Sequence, residues 1–411
     1  MNWDYFRTRV LLCPEVNNLN CGSFGPSMVR GHEFAAKQRL QLASRPMDFY
    51  LRVAPSLLAK ARTELSAWIN HNPTRLFFTN NVSTAINQVG RSLVGSGFRG
   101  VILTTDLEYG CMRWFWEVLA NQFGAEIRTI KIPRRPGDSG EILESFAMEM
   151  TEGVKILFFS HVISATGMVL PIEEICSLAR FKGITTIVDG AHGPGQMALD
   201  LEKIGASAYC ANLHKWLCSP TGGAFIAFHD ELADRLEPVT ISWGYSGYCL
   251  QPERKNSISQ DDPDLFGSTA RLRRLEFQGT QDVCPWLSVP SVLEEWREIG
   301  SDAIYARQRE MSGFTRDLLT NRGLEAWTPA NGKLSGAMTA WELPSEWNLE
   351  AVRNWLYCKH RIEVGLNRLP SGELLLRVSN HFFTQKSEVE QLSNVFRKSV
   401  PDLMSEVGDY L

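Results

Sequence analysis

Seven short runs of apolar residues, separated by stretches whose apolar residues recur every three or four positions, constrain this chain more than any other feature. They are "RLFFT" (75 to 79), "VILTT" (101 to 105), "IRTIKI" (127 to 132), "VKILFFSH" (154 to 161), "GITTIVD" (183 to 189), "SAYCAN" (207 to 212) and "GAFIAF" (223 to 228). Each has strand length, and helical periodicity marks 55–69, 84–94, 111–123 and 172–182 between them. Strands this apolar are covered on both faces, and strand alternating with helix makes most of them parallel. The expected fold is therefore α/β, with a mostly parallel seven-stranded sheet in a large domain over residues 25–285, after an N-terminal segment of residues 1–24. Beyond residue 285 a helical stretch (289–319) leads into short strands and a final helix. That texture predicts a smaller α+β C-terminal domain over residues 286–411.

Composition narrows the partners. The 42 basic and 46 acidic residues leave a net charge of −4 with no long run of either sign, so nothing points to a nucleic-acid or anionic-membrane surface. A small molecule is the expected ligand. Nine cysteines, an odd number without a CxxC pair, fit reduced thiols rather than a disulfide framework, and no metal site is expected. The opening "MNWDYFRTRVLLCPEV" lacks the apolar core of a signal peptide and no segment approaches a membrane span, so the expected location is the cytoplasm.

In open α/β sheets, ligands bind beyond the carboxyl ends of the strands. Five of the runs deliver unusual polar groups there: "NNVST" after the first, "DLEYG" after the second, "SHVISATG" after the fourth, "DGAHG" after the fifth and "LHKW" after the sixth. Asn81 to Thr84 opens a helix whose free N–H groups suit a phosphate, although taken alone an ordinary cap by Ser83 or Thr84 is the plainer reading. Asp189, at the end of a buried strand, is costly unless paired; a cationic ring nitrogen would pair it, and a turn cap before Gly190 is the plainer reading. Lys215, set among apolar neighbours in "CANLHKWLCSP", would have its ammonium disfavoured, leaving an amine able to form a Schiff base; a snorkelling surface lysine is the alternative. Taken together, a phosphate cradle, an acid for a pyridinium nitrogen and a Schiff-base lysine are the parts of a pyridoxal 5'-phosphate (PLP) site.

Along "NLNCGSFGP", "FTNNVSTAIN", "LEYGCMRW", "SHVISATGMVLPI", "VDGAHGPGQ", "NLHKWLCSPTGGAFI", "FQGTQDVCPWLSVPSV" and "LLLRVSN", the chain resembles the class V aminotransferase family of fold-type I PLP-dependent transferases. Within it, the resemblance is to the isopenicillin N epimerase-like branch. It implies that Lys215 holds PLP and then moves the substrate's Cα proton. Asp189 is implied to keep the pyridine nitrogen protonated, His192 to sit near the phenolic oxygen, and Tyr109 to stack on the ring face opposite the lysine. Val82, Ser83 and His214 are implied phosphate contacts, and Ser164 lies where relatives contact the ring oxygen or substrate. Thr280 matches a threonine that reaches the phosphate of the neighbouring subunit, which implies a homodimer with sites at its interface. Arg377 matches the arginine that grips the substrate carboxylate, a task suited to its planar fork. His161 reads either as a site residue or as a satisfied core histidine.

Two departures bear on the reaction. The segment "IEVGLNRLPSGELLL" (362 to 376) before Arg377 lacks the mobile cysteine of cysteine desulfurases, and Cys358 lies upstream of it. Branch members read Asn-His-Gly-Ser near the amino terminus, whereas "NCGSF" puts Cys21 at that substrate position. After Cα proton removal from an amino acid, the reading places β-elimination first, as in a C–S lyase acting on a cysteine S-conjugate in small-molecule biosynthesis. Epimerisation of the isopenicillin N epimerase type, with Tyr109 or Cys111 as the second acid, and transamination are the alternatives. A PLP-binding module without turnover is the reading from a different class. A nicotinamide dehydrogenase is disfavoured, because no GxGxxG opens a helix after the first strands.

Overall fold

The computed structural model describes residues 1–245, 268–397, 407, 408 and 410. All seven apolar runs become strands of one sheet: β1 Leu76–Thr79, β2 Val101–Thr105, β3 Glu126–Ile130, β4 Val154–Ser160, β5 Thr185–Asp189, β6 Ala208–Asn212 and β7 Ala224–Phe228. Their spatial order is β1-β7-β6-β5-β4-β2-β3, and only β7 runs against its neighbours. The continuous apolarity of the inner strands has a direct cause. Phe78, Leu103, Leu157, Phe159, Val188 and Tyr209 feed one apolar cluster, while Phe77, Ile102, Ile156, Phe158, Ile187 and Cys210 feed the other. Alternate side chains of a strand point to opposite faces, so a strand buried on both has no polar alternation to show. Edge strand β3 differs, its Glu126 and Thr129 being exposed.

The helices of ten or more residues are α1 Val29–Ser44, α2 Ala54–Trp68, α3 Val82–Leu93, α4 Gly110–Phe123, α5 Ser139–Glu149, α6 Ile172–Phe181, α7 Val289–Ile299, α8 Ser301–Thr320, α9 Leu349–His360 and α10 Lys386–Val395. Three of them, α2, α3 and α4, start one or two residues before the periodicity predicts. At α3 the cap is Asn81, whose Oδ1 accepts the Thr84 N–H at 2.8 Å, and not Ser83 or Thr84. The helical stretch read over 289–319 is two helices, broken at Gly300, which adopts φ +94°. A residue with a side chain rarely takes that conformation.

Helix α7 packs on α2 and α1, so its Val289, Val292 and Trp296 join the core on one face of the large sheet. A second core lies farther along the chain, where strands β8 Met338–Leu343, β9 Gly365–Arg368 and β10 Leu374–Ser379 form an antiparallel sheet in the order β9-β10-β8. Leu374, Leu376 and Val378 of β10 bury one face with Trp355, Leu356 and Leu392. Residues of the opposite parity, Arg377 among them, turn towards the large sheet, where Arg377 bonds Ser164. Among the described residues no helix is long and apolar enough to cross a membrane.

Candidate active site

The carboxyl ends of β4, β5 and β6 lie in register: Ser160 pairs with Asp189, and Asp189 with Cys210. A cavity opens above this row, lined by Val82, Ser83, Tyr109, Ser160, Ser164, Asp189, His192, Asn212 and Lys215, among others. Seven of the residues singled out from the sequence thus meet at one place, drawn from the ends of five strands.

Asp189 is buried, and its Oδ1 accepts the Ala191 N–H at 2.9 Å. No arginine, lysine or histidine pairs with it within 4 Å among the described residues. Burial pushes its carboxyl above the usual range, against the pull of that hydrogen bond and of the Lys215 charge. A carboxylate held so needs a cation to remain ionised, and a protonated ring nitrogen supplies one. Burial likewise pushes the Lys215 ammonium down to about 8, with the Asp189 charge opposing and Arg377 assisting. The result is an amine that gives up its proton far more readily than an ordinary lysine, and the uncharged form is the one that attacks a carbonyl carbon.

His192 stands between Lys215 and Trp216. Its Nε2 is 3.3 Å from Lys215 Nζ, and its Nδ1 accepts the Trp216 indole N–H at 3.2 Å. Burial, with the Lys215 and Arg377 charges, holds its ring well below the ordinary histidine value, so the ring is neutral.

The start of α3 is arranged to leave one donor open. Asn212 Oδ1 takes the Val82 N–H at 3.0 Å and Asn81 Oδ1 takes that of Thr84, but the Ser83 N–H has no acceptor among the described residues. With the Ser83 hydroxyl and the helix dipole, it forms an anion cradle at the cavity wall.

Arg377 is 2% exposed. Its NH1 donates to the Ser164 carbonyl at 2.6 Å and to Ser164 Oγ at 3.3 Å; its NH2 donates to Asn20 Oδ1 and Ser23 Oγ, both at 2.9 Å. Every one of these partners is neutral. The Nε is buried without an acceptor, and burial lowers the guanidinium to about 10. A buried guanidinium without a carboxylate is expensive, and an incoming substrate carboxylate removes that cost. Gly365 is required beside it, because a Cβ there would sit 2.8 Å from Nε.

Other residues stand elsewhere. His161 is a satisfied core histidine: its Nδ1 bonds the Tyr209 hydroxyl at 2.8 Å, and burial lowers it to about 4. His214 does not line the cavity; it is buried, bonded to the Gly223 carbonyl, and its Nδ1 is left without a partner. Cys21 is fully buried beside Arg377, its thiol pushed well up by burial. Thr280 is exposed and lies away from this cavity within one chain.

Sequence reasoning passed over Glu108. This carboxyl is buried under the cavity, its Oε1 accepting from Thr105 Oγ1 at 2.7 Å and from the Ser160 N–H at 3.2 Å, its Oε2 from Ser160 Oγ at 2.5 Å. Burial raises it to about 7. In "DLEYG" it reads as one acid of a polar turn, and only the β2–β4 pairing reveals it as a tie between two strand ends. Asn20, Ser23 and Asn212, which orient Arg377 and α3, were likewise invisible because each partner lies far away in sequence.

Comparisons with known proteins bear on the family and the fold. The family model described as aminotransferase class-V matches residues 51–343. The isopenicillin N epimerase of Streptomyces clavuligerus is 41% identical over 394 residues, covering 96% of this chain and 97% of its own. That of Amycolatopsis lactamdurans is 41% identical over 401 residues, covering 96% and 98%. Among solved structures, a complex of the cystine C–S lyase C-DES with its product cysteine persulfide superposes with a TM-score of 0.77 at 20% identity, covering 94% of this chain and 98% of that one.

Proposed function

Because the chain belongs to the class V aminotransferase family, whose cofactor is pyridoxal 5'-phosphate, we propose that it is an epimerase that inverts the Cα of an amino-acid substrate. The observation that carries the reading is one cavity with Lys215 in its wall and Arg377 behind it, bonded to the lining residue Ser164: an amine whose charge burial disfavours, and a buried guanidinium short of a carboxylate. When bound, PLP supplies an electron sink that acidifies the Cα–H bond of an attached amino acid.

The chain's own residues do the rest. The Ser83 N–H and the α3 amino terminus hold the phosphate. Asp189 carries the negative charge that keeps a ring nitrogen protonated, while the His192 Nε2–H donates within the same wall. Arg377 takes the substrate α-carboxylate in its planar fork, oriented by Asn20, Ser23 and Ser164. Lys215 Nζ, uncharged, takes the proton from Cα.

β-Elimination, which the sequence reading places first, uses the same residues up to proton removal. The 41% identity to isopenicillin N epimerases over nearly the whole chain puts inversion ahead of it, since the likeness to the C–S lyase, at 20% identity, speaks for the fold alone. A homodimer is part of the proposal. Trp243, 82% exposed, with Leu51 and Phe277, lines an apolar groove beside Gly279 and Gln281, the neighbours of Thr280. Covering that groove with a second copy would bring Thr280 to a subunit boundary.

The test is product analysis. PLP-loaded protein is incubated with isopenicillin N, the common L-amino acids and a set of cysteine S-conjugates, and the products are resolved by chiral chromatography and assayed for pyruvate and thiol. The inverted epimer without keto acid is expected. Pyruvate and thiol without inversion would replace the epimerase with a lyase.

A further inference from the structure

We propose that the Tyr109 hydroxyl is the acid that protonates Cα on the face opposite Lys215, so that inversion proceeds with two groups rather than with one lysine swinging between faces. This rests on the epimerase reading above and goes beyond it by naming the second group. The strand order places the two residues on opposite flanks: Lys215 follows β6, Tyr109 follows β2, and the ends of β5 and β4, carrying Asp189 and Ser160, form the cavity floor between them.

Tyr109 is free to react. It stands at the N-cap of α4 without a side-chain capping bond, is 53% exposed, and its hydroxyl has no hydrogen-bond partner among the described residues. The hydroxyl stands within electrostatic reach of Arg377, the guanidinium available to a substrate carboxylate, whose charge favours the phenolate. Burial and the neighbouring Cys111 and Asp189 work the other way and keep the phenol protonated before reaction. Cys111 is the competing group, but its Sγ sits 3.7 Å from Ser83 Oγ, at the phosphate end, and it does not line the cavity.

The step balances. One proton passes from Cα to Lys215 Nζ, and one passes from Tyr109 Oη to the other face of Cα. The ammonium and phenolate left behind reset by exchange with water, which reaches the half-exposed phenol. No oxidant or reductant is needed.

The experiment uses full-length PLP-loaded wild type and Tyr109→Phe, with isopenicillin N and the common L-amino acids as probes in D2O. Cα–H exchange is followed by NMR and inversion by chiral chromatography. In wild type, the inverted product is expected to carry solvent deuterium and none of the substrate's own proton. In Tyr109→Phe, inversion is expected to fall by ~10²-fold or more, while Lys215 still exchanges the Cα proton of one enantiomer. The cofactor affinity and visible spectrum of the variant should stay those of wild type, because phenylalanine keeps the aromatic ring; a role in ring stacking alone would leave inversion unchanged as well. Inversion within about tenfold of wild type in Tyr109→Phe, below the range of a general acid, overturns the proposal. So does the substrate's own proton appearing in the wild-type product, whatever the variant does. No inversion of any probe by wild type overturns the epimerase reading itself, and this inference with it.

Discussion

Lys215 Nζ lies 3.3 Å from His192 Nε2, and the opposite ring nitrogen of His192 accepts the indole N–H of Trp216. An indole N–H only donates, so Nδ1 is the bare nitrogen and the neutral imidazole carries its proton on Nε2. That proton faces Lys215, and only an uncharged amine can accept it. Burial of Lys215 works in the same direction, because it disfavours the ammonium.

The first prediction follows from this pair. In protein freed of cofactor, the pH dependence of Lys215 modification by an amine-selective reagent has a midpoint of about 8, not the ordinary lysine value of 10.5. Peptide mapping of the modified protein across pH measures it, and a midpoint above 10 contradicts the site described above.

Asp189 separates charge from shape. Asp189→Asn keeps an oxygen for the Ala191 N–H, so the fold is retained, but the negative charge opposite a ring nitrogen is gone. The turnover rate is expected to fall by ~10²-fold or more. Asp189→Ala additionally leaves that buried N–H unpaired, at a cost of ~1–3 kcal/mol, and melts at lower temperature than Asp189→Asn. Equal melting temperatures for the two variants would remove the hydrogen bond from the account.

Arg377→Lys is not a conservative change. A lysine ammonium cannot bond Ser164, Asn20 and Ser23 and still offer a planar pair of donors to a carboxylate. A charge-assisted hydrogen bond is worth ~1.5–3 kcal/mol, so KM should rise by ~10- to 100-fold with a smaller change in kcat. An unchanged KM would mean that the substrate carboxylate binds elsewhere.

Glu108 makes stability depend on pH in an unusual direction. Its folded-state pKa, about 7, lies above its ordinary value of 4.5, so the folded protein binds the proton more tightly than the unfolded chain does. The stabilisation is full below pH 4.5 and is lost as pH rises towards 7, by ~1–3 kcal/mol. Glu108→Gln has the shape of the protonated acid, with an amide oxygen for Thr105 and the Ser160 N–H and an NH2 for Ser160 Oγ. Its melting temperature, relative to wild type, should therefore improve as pH rises across that window. A difference that is constant with pH would show that Glu108 does not titrate there.

These residues also mark how far the amino-acid sequence could be read. The seven strands were legible because residues such as Phe158 and Phe159 bury opposite faces of one sheet, leaving unbroken apolar runs. Asp189 and Lys215 were legible because a charge at the end of such a run is conspicuous. Glu108, Asn20 and Ser23 were not, because what distinguishes them is a partner 52 or more positions away in the chain, Ser160 for the first and Arg377 for the others. The reversed direction of β7 and the break at Gly300 were hidden for another reason: apolar periodicity carries neither strand direction nor the sign of φ. His161 had two readings in the sequence, and the Tyr209 hydroxyl decides between them.

The most direct test of the central claim is to locate the cofactor's covalent partner. Protein loaded with PLP is reduced with borohydride, digested, and searched by mass spectrometry for a pyridoxyl-modified lysine, alongside Lys215→Ala. The account predicts one modified peptide, containing Lys215, in the wild type and none in the variant, which should keep the wild-type fold by circular dichroism. Modification of another lysine, or a wild type that takes up no PLP, would contradict it.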